Sequence, residues 1–156
     1  MKKVLIALDY DPTAQKVAET GFAFAKAMNA QLILLHVVAA PMYYSSEGYS
    51  AIMGFGGYAG TDFLQPDVNE ELKKVSLNFL EQIKQHLGDS TIQTEITTGD
   101  AADSIVETAK ELEADIIVMG SHSKKWLEKI LMGSVAERVL YHTTVPIFIV
   151  PTQKGK

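Results

Sequence analysis

The chain has no cysteine, which excludes a disulfide framework, a thiol nucleophile and thiolate-bound zinc or iron–sulfur centres. It also lacks an excess of positive charge. With 14 Lys and Arg against 19 Asp and Glu, the formal net charge is −5, and that balance excludes the broad electrostatic footprint of a nucleic-acid binder. Long hydrophobic runs are missing too: no segment approaches the roughly 18 uninterrupted apolar residues of a membrane span. Met1-Lys2-Lys3 followed by Val4–Leu8 resembles a secretory leader only briefly, because Asp9 ends the apolar run far short of a leader's core. These absences predict a soluble, cytoplasmic protein with neither a nucleic-acid nor a membrane partner. At 156 residues the chain has the length of one domain and can bury enough surface to fold without metal or disulfide.

Four segments are nearly continuous apolar runs of strand length: Val4–Leu8, Leu32–Val38 (interrupted by His36), Ile116–Met119 and Ile147–Val150. Such runs belong to strands covered on both faces, as in a parallel sheet. A fifth segment, Thr91–Thr98, alternates: Ile92, Thr94, Ile96 and Thr98 against Gln93, Glu95 and Thr97. Alternation predicts a wetter face and a place at the sheet edge.

Helical periods separate the strands. Ala14, Val17, Ala18, Gly21, Phe22, Ala25 and Met28 form one apolar stripe, as an amphipathic helix requires. Asp11 is expected as its N-cap, with Pro12 at the first helical position. A second helix carries Leu72, Val75, Phe79 and Ile83 behind the capping-box spacing Asp67…Glu70. A third carries Ile105, Val106, Ala109 and Leu112 behind Asp100, and a fourth begins at Ser134, again with capping-box spacing to Glu137. The order β-α-β-α-β-α-β-α-β predicts an α/β fold: a single doubly wound, Rossmann-like α/β/α sandwich over a five-stranded parallel sheet.

Pro41 to about Gln65 departs from this pattern. It holds five of the 11 glycines and four of the six tyrosines, with only Glu47 and Asp62 charged. Loops of this length in compact domains are usually functional or disordered. The segment reads equally as a lid or partner-contact loop anchored by tyrosines and as a mobile insertion.

Ligands of open α/β sheets bind beyond the carboxyl ends of strands, where successive crossovers leave to opposite sides. Two strand ends carry suggestive residues. The first run ends in Asp9-Tyr10-Asp11-Pro12, and the fourth in Met119-Gly120-Ser121-His122-Ser123, followed by Lys124, Lys125 and Lys129 and then Gly133-Ser134. Gly120 permits a tight exit and close approach of a ligand to backbone. Gly133-Ser134 opens a helix whose free N–H groups attract an anion such as phosphate; taken alone, without the paired strand ends, Ser134 and Glu137 read rather as a helix cap. His36, His86, His122 and His142 show no metal-ligand spacing. Ser121 and His122 are adjacent and lack a third orienting group, so they do not read as a nucleophile and its base. Trp126 reads as a helix or dimer contact.

Met119-Gly120-Ser121-His122-Ser123, nine residues and then Gly133-Ser134-Val135 resemble the nucleotide-binding signature of the universal stress protein family: Gly, two residues, Gly, nine residues, then Gly-Ser or Gly-Thr. Val4–Asp9, Leu35–Val38, Gly99-Asp100, Ala114–Gly120, Glu137–Leu140 and Val145–Val150 agree with it. The resemblance spans nearly the whole chain outside 41–65 and makes residues 1–151 the family domain, with 152–156 as a tail. It implies the strand order 3-2-1-4-5, which puts the crossover reversal between strands one and four. It further implies that Asp9 lies at the ribose and phosphates and Val37 at the adenine of a bound nucleotide. Met119, Gly120, His122, Ser123, Gly133, Ser134 and Val135 would wrap base, ribose and phosphates. The implied ligand is ATP or a related adenine nucleotide, with Mg²⁺ carried by its phosphates. Asp9 also reads as a cap on the following turn, in competition with Asp11.

One position departs from the family pattern. Ser123 stands where the second glycine falls, adding a Cβ that disfavours positive φ by roughly 1 kcal/mol or more, while its hydroxyl can itself donate to a phosphate oxygen. Two functions follow: a dimeric, adenine-nucleotide-binding stress sensor or regulator, or a nucleotide-independent dimeric interaction module. No general base or arginine finger is evident, so any ATP hydrolysis would be slow. Related ATP pyrophosphatases and synthetases use Ser-Gly-Gly-x-Asp-Ser or His-Ile-Gly-His, and dehydrogenases use Gly-x-Gly-x-x-Gly; none follows the first strand. The last strand, Pro146–Val150, is apolar and uncharged at a sheet edge, a template for pairing with another chain. The family answer is a homodimer through that strand.

Overall fold

The computed structural model describes residues 1–39, 60–121 and 134–152, with the backbone alone for Ala39, 60–69 and Ser134. Five parallel strands, β1 (Lys3–Ala7), β2 (Gln31–Ala39), β3 (Gln93–Gly99), β4 (Ile116–Gly120) and β5 (Ile147–Val150), form one sheet in the order β3-β2-β1-β4-β5. Helices α1 (Ala14–Ala27), α2 (Gly60–Leu87), α3 (Ala101–Glu111) and α4 (Ser134–His142) connect them. The sheet is hydrophobic on both sides because the alternation of side chains divides each strand between two layers. Val4 and Ile6 pack with Leu32, Leu34 and Val118 against Val17 and Ala18 of α1 and Leu80 and Ile83 of α2. Leu5 packs with Ile33, Leu35 and Ile117 against Ile105 and Ala109 of α3 and Val139 of α4. Each fully buried aliphatic side chain in these layers contributes about 1.5–3 kcal/mol.

Two glycines are required by packing and backbone. Gly21 lets α1 settle on the sheet: a Cβ there would lie 2.4 Å from Ile6 Cδ1 and 3.3 Å from Val118 Cγ1. Gly99, with φ of 138°, turns the chain out of β3 into α3, a conformation that side chains oppose. Asp100 then caps α3, its carboxylate accepting from the Asp103 amide at 3.0 Å.

Four local expectations need correction. The helix α1 starts at Ala14, with Thr13 rather than Asp11 as N-cap. Asp11 instead closes a turn, its carboxylate accepting from the Thr13 amide at 2.7 Å and the Thr13 hydroxyl at 2.6 Å, and its carbonyl from the Ala14 amide. This Asx-type turn offers the backbone an alternative to helix and moves Pro12 outside it. The helix α2 starts at Gly60, not at Asp67, so the backbone of 60–65 is helical; the remainder of the 41–65 segment lies outside the described residues. The buried face of α2 is centred on Ser76, Leu80 and Ile83, whereas Val75, expected in the stripe, is 44% exposed. Finally, β3 is an edge strand as expected, but Gln93 through Thr97 are all half-buried. Both α2 and α3 pack on it, so both faces are partly covered as far as Thr97 and only Thr98 is exposed.

Candidate functional site

β1 and β4 are neighbours at the centre of the sheet. The chain leaves β1 for α1 on one face, whereas α4, which follows β4, lies on the other. Their carboxyl ends therefore flank the crevice that this topology opens to ligands.

Side-chain alternation decides which groups reach that crevice. Ala7, Val37, Met119 and Val135 all join the apolar layer under α3 and α4. Residues named from three separate parts of the sequence thus lie in one apolar layer on one face of the sheet. Ala7 pairs with Leu35, so Asp9, two residues further on, reaches the level of Val37. Asp9 is exposed, and its carboxylate accepts from the Tyr10 amide at 3.2 Å. Asp11, not Asp9, closes the turn before α1, and Asp9 stays at the strand end. Gly120 is the last residue of β4, half-buried and paired with Val150. Ser134 is the first residue of α4. His122, Ser123, Gly133, the three lysines 124, 125 and 129, and Trp126 lie outside the described residues.

Ser121 is engaged structurally. Its amide donates to the Val150 carbonyl at 2.9 Å, and its hydroxyl accepts from the Thr152 amide at 3.2 Å. The pair fastens the chain after β5 to the exit of β4.

Three neighbouring features escaped the sequence reading. His36 Nδ1 lies 2.8 Å from the Leu8 carbonyl; a carbonyl only accepts, so Nδ1 carries the proton. The His36 ring meets Phe79 edge-on at 5.7 Å, and Phe79 meets Tyr10 at 5.0 Å, so a chain of rings supports the turn after β1 from the α2 side. On the opposite face Arg138, the single arginine of the sequence, donates to Asp100 at 2.9 Å and lies 3.9 Å from Asp103. That contact joins the start of α3 to α4 across 38 residues, a separation no local pattern reveals. The third is Thr97, paired with Val37 in register; its Oγ1 is enclosed without a hydrogen-bond partner among the described residues. A cleft of about 470 Å³ lined by Met1, Lys26, Asn29, Gln31 and Asp89 opens at the other end of the sheet, away from these groups.

Residues 1–151 match the model of the universal stress protein family. The chain belongs to that family. Similar relatives include universal stress protein MJ0577 of Methanocaldococcus jannaschii, 30% identical over 152 residues that cover 96% of this chain and 94% of the relative. YxiE of Bacillus subtilis is 29% identical over 154 residues, covering 95% and 97%. The solved structure of MJ0577 superposes with a TM-score of 0.76 at 28% identity over 99% of this chain and 98% of the other. A universal stress protein solved in complex with cAMP has the same fold, with a TM-score of 0.64 at 20% identity, covering 97% and 98%. The family's strand order and the observed order β3-β2-β1-β4-β5 agree. Among the described residues no helix is long and apolar enough to cross a membrane.

Proposed function

We propose that this universal stress protein binds ATP or a related adenine nucleotide at the carboxyl ends of β1 and β4 and acts in the cytoplasm as a dimeric sensor or regulator of the stress response. The observation that carries the reading is the convergence of Val37, Met119 and Val135 with Ala7 on one apolar wall, beside the exposed carboxylate of Asp9. A flat purine suits the apolar wall. Ribose hydroxyls suit the carboxylate, which repels bare phosphates unless Mg²⁺ stands between them. The start of α4 at Ser134 adds an N-terminal dipole favourable to phosphate. The family membership and the cAMP complex of a fold neighbour support the class of ligand.

The test is to denature freshly purified protein, identify any released nucleotide by chromatography, and titrate the emptied protein with ATP and Mg²⁺ by calorimetry. Retained nucleotide or micromolar binding supports the reading. An empty protein giving no heat at millimolar ATP overturns it in favour of the interaction module. A large gain in ATP affinity on Ser123→Gly would trace that failure to the Cβ at position 123.

The dimer rests on β5. It is the outer strand beyond β4, and Ile147, Phe148 and Ile149 are only half-buried. On the preceding helix Leu140 is 50% and Tyr141 75% exposed. An apolar edge of this kind favours pairing with a second copy. Sedimentation at micromolar concentration should give twice the 17.1 kDa chain mass; a species at the chain mass alone would refute the dimer.

A further inference from the structure

Thr97 lies beside Val37 in the β2–β3 register, and paired residues of neighbouring strands project to the same face of a sheet. Its side chain therefore shares the face of the wall assigned above to the purine, two residues before the carboxyl end of β3. Its Oγ1 is fully enclosed, yet among the described residues no group bonds it. The residue as a whole is only half-buried, so its remaining exposed surface belongs to other atoms. Enclosing a hydroxyl without a partner works against folding, and valine would fill the same volume without that cost. An orphaned polar atom of this sort calls for a specific explanation. One staggered step in χ1 carries the hydroxyl to where the methyl now stands and moves the methyl into the third well.

We infer that Thr97 is a specificity-determining residue of the nucleotide site, its hydroxyl hydrogen-bonding the edge of the purine that lies against Val37. The inference rests on the adenine-nucleotide reading above. A hydroxyl donates and accepts, so it can meet either a ring nitrogen or the exocyclic amine. Because the contact is to the base, its loss must weaken ATP and AMP by the same factor, whatever the phosphate count.

The experiment compares wild type with Thr97→Val and Thr97→Ser, measuring ATP and AMP dissociation constants by calorimetry and the melting temperature of the nucleotide-free protein. The expected result is a loss of about three- to tenfold for both ligands in Thr97→Val, binding within about twofold of wild type in Thr97→Ser, and a melting temperature for the valine variant equal to or above wild type. Unchanged binding by Thr97→Val overturns the inference and leaves the nucleotide reading standing. Lower melting temperature together with weaker binding in that variant makes Thr97 a structural residue and also overturns it. If wild type binds neither ligand, the nucleotide reading itself falls and this inference falls with it.

Discussion

Replacing Gly21 by alanine tests how closely α1 is seated on the sheet. By helix propensity alone the change should stabilise the protein by about 0.5–1 kcal/mol. The structure opposes that gain. The new methyl would lie 2.4 Å from Ile6 Cδ1 and 2.9 Å from Ile6 Cγ1, where ordinary carbon contacts stand at about 3.5–4 Å. Ile6 is fully buried in an interior packed too densely to give way freely. Overpacking of this kind costs about 1–3 kcal/mol, so the net expectation is a protein about 1 kcal/mol less stable, melting about 2–4 °C lower for a chain of this length. Urea denaturation of four proteins settles the cause. Ile6→Val removes the offending Cδ1 and alone costs about 0.5–1.5 kcal/mol. In that background the shortest contact is gone while the γ carbon stays at 2.9 Å, so Gly21→Ala should cost clearly less than in the wild type, a favourable coupling of about 1 kcal/mol. A stabilising Gly21→Ala in the wild type, or a cycle additive within about 0.3 kcal/mol, would refute the close seating of α1.

The burial along α2 separates two substitutions of similar chemistry: Leu80→Ala should cost about 2–5 kcal/mol, while Val75→Ala, on a side chain 44% exposed, should stay within about 0.5 kcal/mol by urea denaturation. Asp100→Ala removes both the α3 cap and the carboxylate that accepts from Arg138 and should cost about 1–2 kcal/mol; Asp100→Asn, which keeps a capping oxygen, should cost clearly less. Acid should loosen the contact between α1 and α2. The Glu19 carboxyl is held below its ordinary value by its hydrogen bonds to His86 and then Gln15, and Asp89 by those to Thr91. A carboxyl depressed in the folded state stabilises above its unfolded pKa, and that contribution fades as pH falls through the depressed value. Glu19→Gln with Asp89→Asn should therefore flatten the decline of melting temperature below the ordinary carboxylate range, and an unchanged decline would refute the assignment.

The strands were the most legible part of the fold. Runs such as Val4–Leu8 and Ile116–Met119 carry no alternation because both faces are covered, and their abrupt ends at Asp9 and Gly120 point to the crevice. The helix starts were less legible because competing local chemistry decides them. Asp11-Pro12 has the composition of a helix opening but closes a turn one step before it. Asp67…Glu70 has capping spacing yet sits within a helix already running. The alternation puts Thr97 on a polar strand face, whereas in the fold its hydroxyl is enclosed on a strand that α2 and α3 both cover. The contact of Arg138 with Asp100 was hidden for a different reason: it exists only once α3 and α4 lie side by side.

The position of β1 has a consequence for how the chain is made. This strand is made before the other four, yet it occupies the middle of the finished sheet, between β2 and β4. Its partner β2 follows shortly, but the Asp115 carboxylate that accepts from the Lys3 amide lies 112 residues downstream. At about 5–20 residues per second, the chain spends roughly 4 to 15 seconds between completing β2 and producing β4. Throughout that interval the apolar run Val4–Ile6 of β1 presents an unpaired edge. The nascent chain is therefore vulnerable to mispairing along this edge until β4 is synthesised.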